Sequence, residues 1–324
     1  MQYLTKNNFA ALFSLALMAF SQLALADSRE VVNEIHNVSA NEKIYIEVMS
    51  GEISIKAVTG NRFSVKGKLD GKATGYLLDS KDGFSRFEMT MPRQLNYNRS
   101  EKEYLAELSI EVPVGSSVEF KGVNGNVEIT GVHGSSQISS VNGHIIASDL
   151  RNSVKLNTVN GEITLLDGTG TIELSSVNGK INDQGSVGRL TYAVVNGKIN
   201  ARSKATEVNL STVNGDAELE LDGTAVLSLS TVNGEIEAKL SGVSNPRING
   251  SSVSGDIELK LASNLSARFD LKASAGGNIN NKLSSDKVIK AKYGPGRSLQ
   301  FTLGSGEGSV ELTTVSGDIK LDKR

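Results

Sequence analysis

The chain contains no cysteine and no tryptophan among its 324 residues, and it has only four prolines. The lack of cysteine excludes disulfides, thiolate metal sites and a lipid attached to cysteine at a cleavage point. Aromatic residues make up 5% of the chain, whereas glycine occurs 33 times. This composition is typical of a thin, regularly turning β structure rather than a broad globular core. Packing and backbone hydrogen bonds must therefore stabilise the fold.

Neither sign of charge dominates, because 34 Lys and Arg residues stand against 36 Asp and Glu residues. This balance argues against a nucleic-acid partner, which would require a basic surface. The motifs G-x-S-x-G and H-E-x-x-H and the Walker loop are also missing. The three histidines, His36, His133 and His144, are interpreted as surface residues rather than metal ligands. We therefore expect no catalytic residue and no cofactor.

One long apolar run occurs, and it lies near the N-terminus. Lys6 precedes a mostly apolar segment at 9–20, and Ala24-Leu25-Ala26 forms an A-x-A cleavage site. The run is too short to span a bilayer as a stable helix, and no second candidate follows. Residues 1–26 are thus predicted to be a secretory signal peptide, with export to the periplasm or the cell exterior. An uncleaved N-terminal anchor is the alternative.

The tripeptide Val-Asn-Gly recurs every 18 residues. It starts at Val123, Val141, Val159, Val177, Val195, Val213 and, after 19 residues, Val232, and it returns as Val-Ser-Gly at Val253 and Val315. Apolar residues alternate at period two on both sides, which predicts two short strands per repeat with one buried face each. One such coil cannot offset its own conformational entropy, so neighbouring coils must stack. The fold class predicted is all-β, a parallel β-solenoid with 18-residue, two-strand coils.

The buried face changes parity across the tripeptide, so the chain must turn there. Glycine adopts positive φ at low cost, and we expect the motif glycine to do so. Replacing Gly197 with valine should then destabilise the stack by several kcal/mol through backbone strain. A second turn is expected at the far end of each coil, for example at residues 166–170.

Stacked coils would place the motif asparagines about 4.8 Å apart in one column. We interpret this column as a structural ladder of amide hydrogen bonds, the alternative being a row presented to a ligand. The column comprises Asn124, Asn142, Asn160, Asn178, Asn196, Asn214 and Asn233.

Six carboxylates occupy outward positions of three successive coils. They are Asp216, Glu218, Glu235, Glu237, Asp256 and Glu258. Like charges opposite each other are mildly destabilising, and Lys239 and Lys260 are placed to relieve part of the repulsion. We favour a solvated charged face, with a weak site for Ca²⁺, another divalent cation or a cationic partner as the alternative.

The two ends of the chain depart from the period. Residues 27–115 are predicted to form an N-terminal β cap or small sandwich with strands at 62–68, 84–91 and 105–112, although residues 44–55 fit one coil. Residues 116–321 form the predicted solenoid domain. Its irregular insert at 280–308 is either an exposed loop or a capping excursion.

The S/T-V-N-G-x-I units, such as residues 176–181, and the segment Ile110-Glu111-Val112-Pro113 resemble the "putative adhesin" domain family over about residues 100–321. That resemblance implies a β-solenoid and carries over no catalytic residue. We therefore expect an exported, non-catalytic protein, adhesin-like or structural, with an unidentified envelope or surface partner, either protein or glycan. The alternative is a polysaccharide-binding or polysaccharide-cleaving solenoid.

Overall fold

The computed structural model describes residues 29–92 and 105–324. The predicted signal peptide at 1–26 lies outside the described residues. The described residues form one continuous sheet of 27 strands, in which successive coils pair in parallel. The predicted all-β solenoid is thus confirmed. In the described part of the chain, no helix is long and apolar enough to cross a membrane.

The regular coils each contribute one strand before Val-Asn-Gly, on what we term the upstream face, and one after it, on the downstream face. A single strand, β7 (Ser117–Thr130), crosses both faces. The upstream strands are β8 (Ser136–Ser140), β10 (Arg151–Thr158), β12 (Thr169–Ser176), β14 (Val187–Val194), β16 (Glu207–Thr212), β18 (Val226–Thr231) and β20 (Arg247–Ser252). The downstream strands are β9 (Ile145–Ser148), β11 (Ile163–Leu166), β13 (Ile181–Gln184), β15 (Lys198–Ser203), β17 (Asp216–Asp222), β19 (Ile236–Ser241) and β21 (Ile257–Leu261).

Each residue of a coil pairs with its equivalent in the next coil. Leu156 pairs with Leu174 on the upstream face, and Ile163 pairs with Ile181 on the downstream face. These equivalent apolar side chains are buried in columns that fill the space between the two faces. The alternation of buried and exposed side chains follows from the strand period of two.

At the N-terminal end, the coils stack in an order different from their order in the chain. The strands there are β1 (Val31–Asn37), β2 (Lys43–Val58), β3 (Arg62–Lys68), β4 (Gly75–Lys81), β5 (Phe84–Thr90) and β6 (Ala106–Pro113). On one side β2 pairs with β7, and on the other it pairs with β5 and β6, all in parallel. Antiparallel β4 then covers β5, while antiparallel β3 covers β6 and β1 in turn pairs with β3. Strands β3, β5 and β6 correspond to those predicted, whereas β1 and β4 were not anticipated.

The C-terminal end shows the same inversion. Its strands are β22 (Ala267–Ala273), β23 (Ile279–Asn281), β24 (Ile289–Lys290), β25 (Arg297–Leu303), β26 (Gly308–Thr314) and β27 (Ile319–Lys323). The last coil, β26 and β27, lies between the coil of β20 and β21 and that of β22 and β23. Antiparallel β25 covers β22, and β24 pairs with β25. The insert at 280–308 therefore caps the stack through β25 and also carries a hairpin.

Candidate functional site

The Val-Asn-Gly corner is the most regular surface of the molecule, and its glycine does not adopt positive φ. The expectation of a left-handed glycine there is wrong: Gly197 and its equivalents in the other regular coils lie outside that region. Instead, a Cβ on Gly197 would stand 1.9 Å from the carbonyl oxygen of Gly179 in the preceding coil. Glycine is needed because the backbones of neighbouring coils approach too closely for any side chain.

In most of the regular coils a Ser or Thr precedes the motif valine and closes this corner from inside, whereas Val195 follows Val194. The hydroxyl of Ser140 donates to the carbonyl oxygen of Gly125 at 3.0 Å, and that of Thr158 donates to Gly143 in the same way. These side chains are almost fully buried. Buried hydroxyls need such a partner, which explains the small polar residue at this position of the repeat.

The asparagines form a continuous column of side-chain hydrogen bonds on the outside of the corner. Each Nδ2 donates to the Oδ1 of the preceding asparagine, over distances of 2.7 to 3.0 Å. The six bonds join Asn124, Asn142, Asn160, Asn178, Asn196, Asn214 and Asn233. Each asparagine inside the column therefore donates one Nδ2 hydrogen bond to one neighbour and accepts one at Oδ1 from the other.

Beside the asparagine column runs a ridge of exposed valines, which we term the valine ridge. Their exposure is between 37% and 46%. The ridge comprises Val141, Val159, Val177, Val195, Val213, Val232, Val253 and Val315. The corner thus presents one apolar side chain per coil along the length of the regular stack.

The opposite corner, at the far end of each coil, does use positive φ. Gly131, Asp149, Asp167 and Gly185 occupy equivalent positions there, with φ between 47° and 82°. Aspartate tolerates this conformation better than most residues with a side chain. The Asp149 carboxylate also accepts a hydrogen bond from His133 Nε2 at 3.1 Å, which lowers the pKa of Asp149.

A buried carboxylate interrupts the core beside this second corner. Asp183 occupies a column filled by Leu165 and Ala201 in the adjacent coils, and it is 4% exposed. The hydroxyls of Ser186 and Tyr192 donate to its two oxygens. Burial raises the pKa of Asp183 to about 6, although these hydrogen bonds act in the opposite direction.

The six predicted carboxylates lie on the downstream face of adjacent coils, interleaved with lysines. Lys260 Nζ lies 2.6 Å from Glu237 and 3.1 Å from Glu258, and Lys239 lies 3.2 Å from Glu237. In addition, Lys198 pairs with Glu218 at 2.7 Å, and Lys320 pairs with Asp256 at 2.8 Å. Asp216 accepts a hydrogen bond from the backbone N–H of Glu235 at 3.0 Å.

This pairing determines what the carboxylate face can do chemically. The hydrogen bond from Lys260, followed by that from Lys239, lowers the pKa of Glu237. Among the described residues, no group of three or more His, Asp or Glu side chains is arranged to hold a metal ion. The face is therefore an ion-pair network exposed to solvent.

A groove that the sequence analysis missed lies where the N-terminal strands meet the first regular coils. It has a volume of about 670 Å³ and is lined by Glu52, Lys66, Glu107, Glu128 and His144, among others, and we term it the acidic groove. Asn126 Nδ2 donates to Glu52 at 2.8 Å, and the backbone N–H of Glu162 donates to His144 Nδ1 at 3.0 Å. Glu128 and Ile146 line it from two coils that are one repeat apart, but Glu52, Lys66 and Glu107 come from segments outside the regular repeat, so the repeat could not indicate the groove.

Comparison with protein families gives a match over most of the chain. The family described as Toastrack DUF4097 matches residues 42–322. The chain belongs to the Toastrack DUF4097 family. The match agrees with the family resemblance predicted from the V-N-G-x-I units.

No curated protein matches this Toastrack sequence. Among solved structures, a putative cell adhesion protein from Clostridium sporogenes is similar over 91% of this chain and 100% of its own, with 14% identity and a TM-score of 0.23. A putative adhesin from Bacteroides fragilis is similar over 91% of this chain and 98% of its own, with 14% identity and a TM-score of 0.37. At such TM-scores the likeness carries no argument about function.

Proposed function

We propose that this Toastrack protein is an exported, non-catalytic solenoid that binds a repetitive component of the cell envelope or cell surface, in an adhesin-like or structural role. The observation that carries this proposal is the Val-Asn-Gly corner. Its asparagine column and valine ridge repeat the same small surface from coil to coil. Such a surface suits a partner that also repeats along its length.

A repeated surface acts through the number of contacts rather than through the depth of a single site. Each exposed valine offers a small apolar contact, and each additional coil adds an equivalent one. When several weak contacts are linked rigidly, the later ones form at high effective concentration. The solenoid would therefore bind an extended glycan or protein surface far better than it binds a short fragment.

The test replaces part of the valine ridge with a residue of the same shape. Val159→Thr, Val195→Thr and Val232→Thr together keep the β-branched form and remove apolar surface. We expect the triple variant to lose most of the saturable binding of the purified protein to isolated envelope fragments. Periodate or protease treatment of the fragments then separates a glycan partner from a protein partner.

Leu166 and Val187, exposed away from both the valine ridge and the groove, give the matched control. Leu166→Thr with Val187→Thr should leave envelope binding unchanged. If the ridge variant bound as well as the unaltered protein, the ridge would not be the contact surface. Turnover of an envelope or capsular glycan by the purified protein would overturn the non-catalytic assignment.

Export is tested separately from binding. Mass spectrometry of the protein recovered from the periplasm or medium should show a chain beginning at Asp27, as the A-x-A site at residues 24–26 predicts. A protein that retained residues 1–26 at the membrane would instead support the uncleaved anchor.

The acidic groove favours one second candidate, a polysaccharide-binding or polysaccharide-cleaving solenoid. Glu52, Glu107 and Glu128 border the same groove, and paired carboxylates are the groups that cleave glycosidic bonds. If this candidate is right, Glu128→Gln should abolish glycan turnover or binding, while the valine ridge variant should retain it. The two variants therefore assign the partner to the groove or to the corner.

A further inference from the structure

The most basic exposed segment of the described chain lies in the C-terminal insert. Residues 282–297 contain five basic residues and one acidic residue, in a chain whose formal net charge is −2. Lys282 pairs with Asp322 at 2.9 Å. Lys287, Lys290 and Lys292 are exposed and form no ion pair with any residue that the structure describes. Three lysines are thus available to an anionic partner.

Large apolar side chains are exposed on the same segment. Tyr293 is 83% exposed, and Ile289 is 66% exposed. Lys292 Nζ lies 5.4 Å from the centroid of the Tyr293 ring. Single exposed apolar side chains are common, but several on one short segment that is rimmed by charged residues are typical of an interaction surface. Their combination with unpaired lysines marks a surface for contact.

The segment is a defined hairpin, which we term the basic hairpin (residues 287–297). Its strands β24 and β25 pair antiparallel, and the Ala291 N–H donates to the Gly296 carbonyl at 2.8 Å across the tip. At its base, Arg297 donates to the carbonyl oxygens of Gly276 and Gly277. These contacts connect the hairpin to the last coil of the stack.

The basic hairpin lies at the far end of the solenoid. Strand β24 pairs with β25, and β25 covers β22, the last upstream strand of the stack. The valine ridge, by contrast, follows the length of the stack and reaches this end only at Val315. A partner can therefore bind the hairpin end while most of the ridge stays uncovered.

We propose that the basic hairpin docks this end of the solenoid on an anionic lipid headgroup surface. The lysines would lie against lipid phosphates, and Tyr293 and Ile289 would enter the interface, where tyrosine is favoured. Lysine stems can extend along the same boundary while the ammonium groups stay in water. A soluble polyanion would satisfy the lysines but would leave Tyr293 and Ile289 in water, so the observations favour a lipid surface. This inference is independent of the proposed function, since it concerns a different surface.

The absence of tryptophan allows a direct test. In Tyr293→Trp the new indole is the single tryptophan, and its emission should shift to shorter wavelength on adding vesicles of phosphatidylglycerol and phosphatidylcholine. Vesicles of phosphatidylcholine alone should produce no shift. Each lysine near an anionic surface contributes about a fivefold change in partition, so the triple variant Lys287→Ser, Lys290→Ser and Lys292→Ser should bind about 100-fold more weakly.

The control removes equal charge elsewhere. Lys56→Ser, Lys180→Ser and Lys204→Ser alter exposed lysines away from the hairpin, and this variant should keep most of the vesicle binding. Equal losses in both triple variants would reduce the effect to net charge and overturn the assignment of the hairpin. If the protein bound a soluble polyanion such as polyphosphate but showed no tryptophan shift on anionic vesicles, the proposed lipid surface would also be overturned.

Discussion

The two corners of each coil reach the same chain reversal by different physical means. At the Val-Asn-Gly corner, neighbouring coils approach so closely that a Cβ on Gly197 would overlap the Gly179 carbonyl, while φ is ordinary. At the opposite corner φ is positive, as at Gly223 directly after β17, where φ is 80° and a Cβ would meet nothing within 4 Å. The first corner leaves no space for a side chain, whereas the second requires a residue that tolerates a left-handed backbone.

This difference explains why one corner is uniform and the other is varied. A close approach excludes every side chain, so glycine recurs in each regular coil at the first corner. A left-handed backbone also accepts aspartate, and Asp149 and Asp167 take the place of glycine at the second. New side-chain chemistry such as the Asp183 network can therefore develop beside the second corner but not inside the first.

The largest effect is expected from adding one methyl group at each corner. Gly197→Ala should cost on the order of 4 kcal/mol, because backbone atoms of two coils must separate. Gly223→Ala should cost about 1–2 kcal/mol, which is the strain of a left-handed alanine. Urea unfolding of the two variants measures the difference. Similar losses would show that the two corners impose the same restriction.

The Asp183 network gives the next largest effect, visible as a pH dependence. Burial raises the pKa of Asp183 from 3.8 to about 6, so the unfolded chain ionises first as pH rises. The contribution of Asp183 to stability is therefore greatest below about pH 4, and it falls by about 3 kcal/mol as pH rises to about 6, which adds a negative slope to the free energy of unfolding against pH.

Asp183→Asn should remove this slope, whereas Asp79→Asn, at an exposed aspartate, should keep it. The measurement is the free energy of unfolding at pH 4, 5, 6 and 7. A slope that is unchanged in Asp183→Asn would mean that another group titrates there.

The asparagine column should contribute less to the free energy of unfolding, because water can replace an exposed hydrogen bond between side-chain amides. Asn178→Ala breaks two bonds of the column and should cost about 1 kcal/mol. Asn233→Ala breaks only its bond to Asn214 and should cost about half as much. Thermal unfolding of the two variants tests this ratio. If both substitutions left stability unchanged, the column would have no structural role, and presentation to a ligand would become the better interpretation.

The smallest effect on stability is expected from calcium at the carboxylates of the downstream face, which lies between the two corners. Calcium at millimolar concentration should leave the Tm unchanged, because Lys260 and Lys239 already pair with the central carboxylate, Glu237. A rise in Tm that Glu237→Gln removes would instead assign a cation site to the six carboxylates.

Much of the regular stack was predictable because its signals are local. Leu156 and Leu174 recur at the repeat interval, and in-register pairing makes such positions one buried column. The glycine was predicted, but its reason was not, since the distance between Gly197 and Gly179 depends on two coils meeting. The acidic groove could not be predicted, because Glu52, Glu107 and His144 are distant in sequence and share no period.

By itself the sequence determined the unit of this protein: two short strands, a glycine corner and a stack of equivalent coils. Only the tertiary structure decided the order of coils at the two ends, where β2 lies inside β5 and β6, and β26 and β27 lie inside β22 and β23. The physical reason is that a coil pairs equally well with any neighbour of matching register. Hydrogen-bond pattern and burial period specify what a coil is, whereas the antiparallel strands that cover each end select which coil lies outermost.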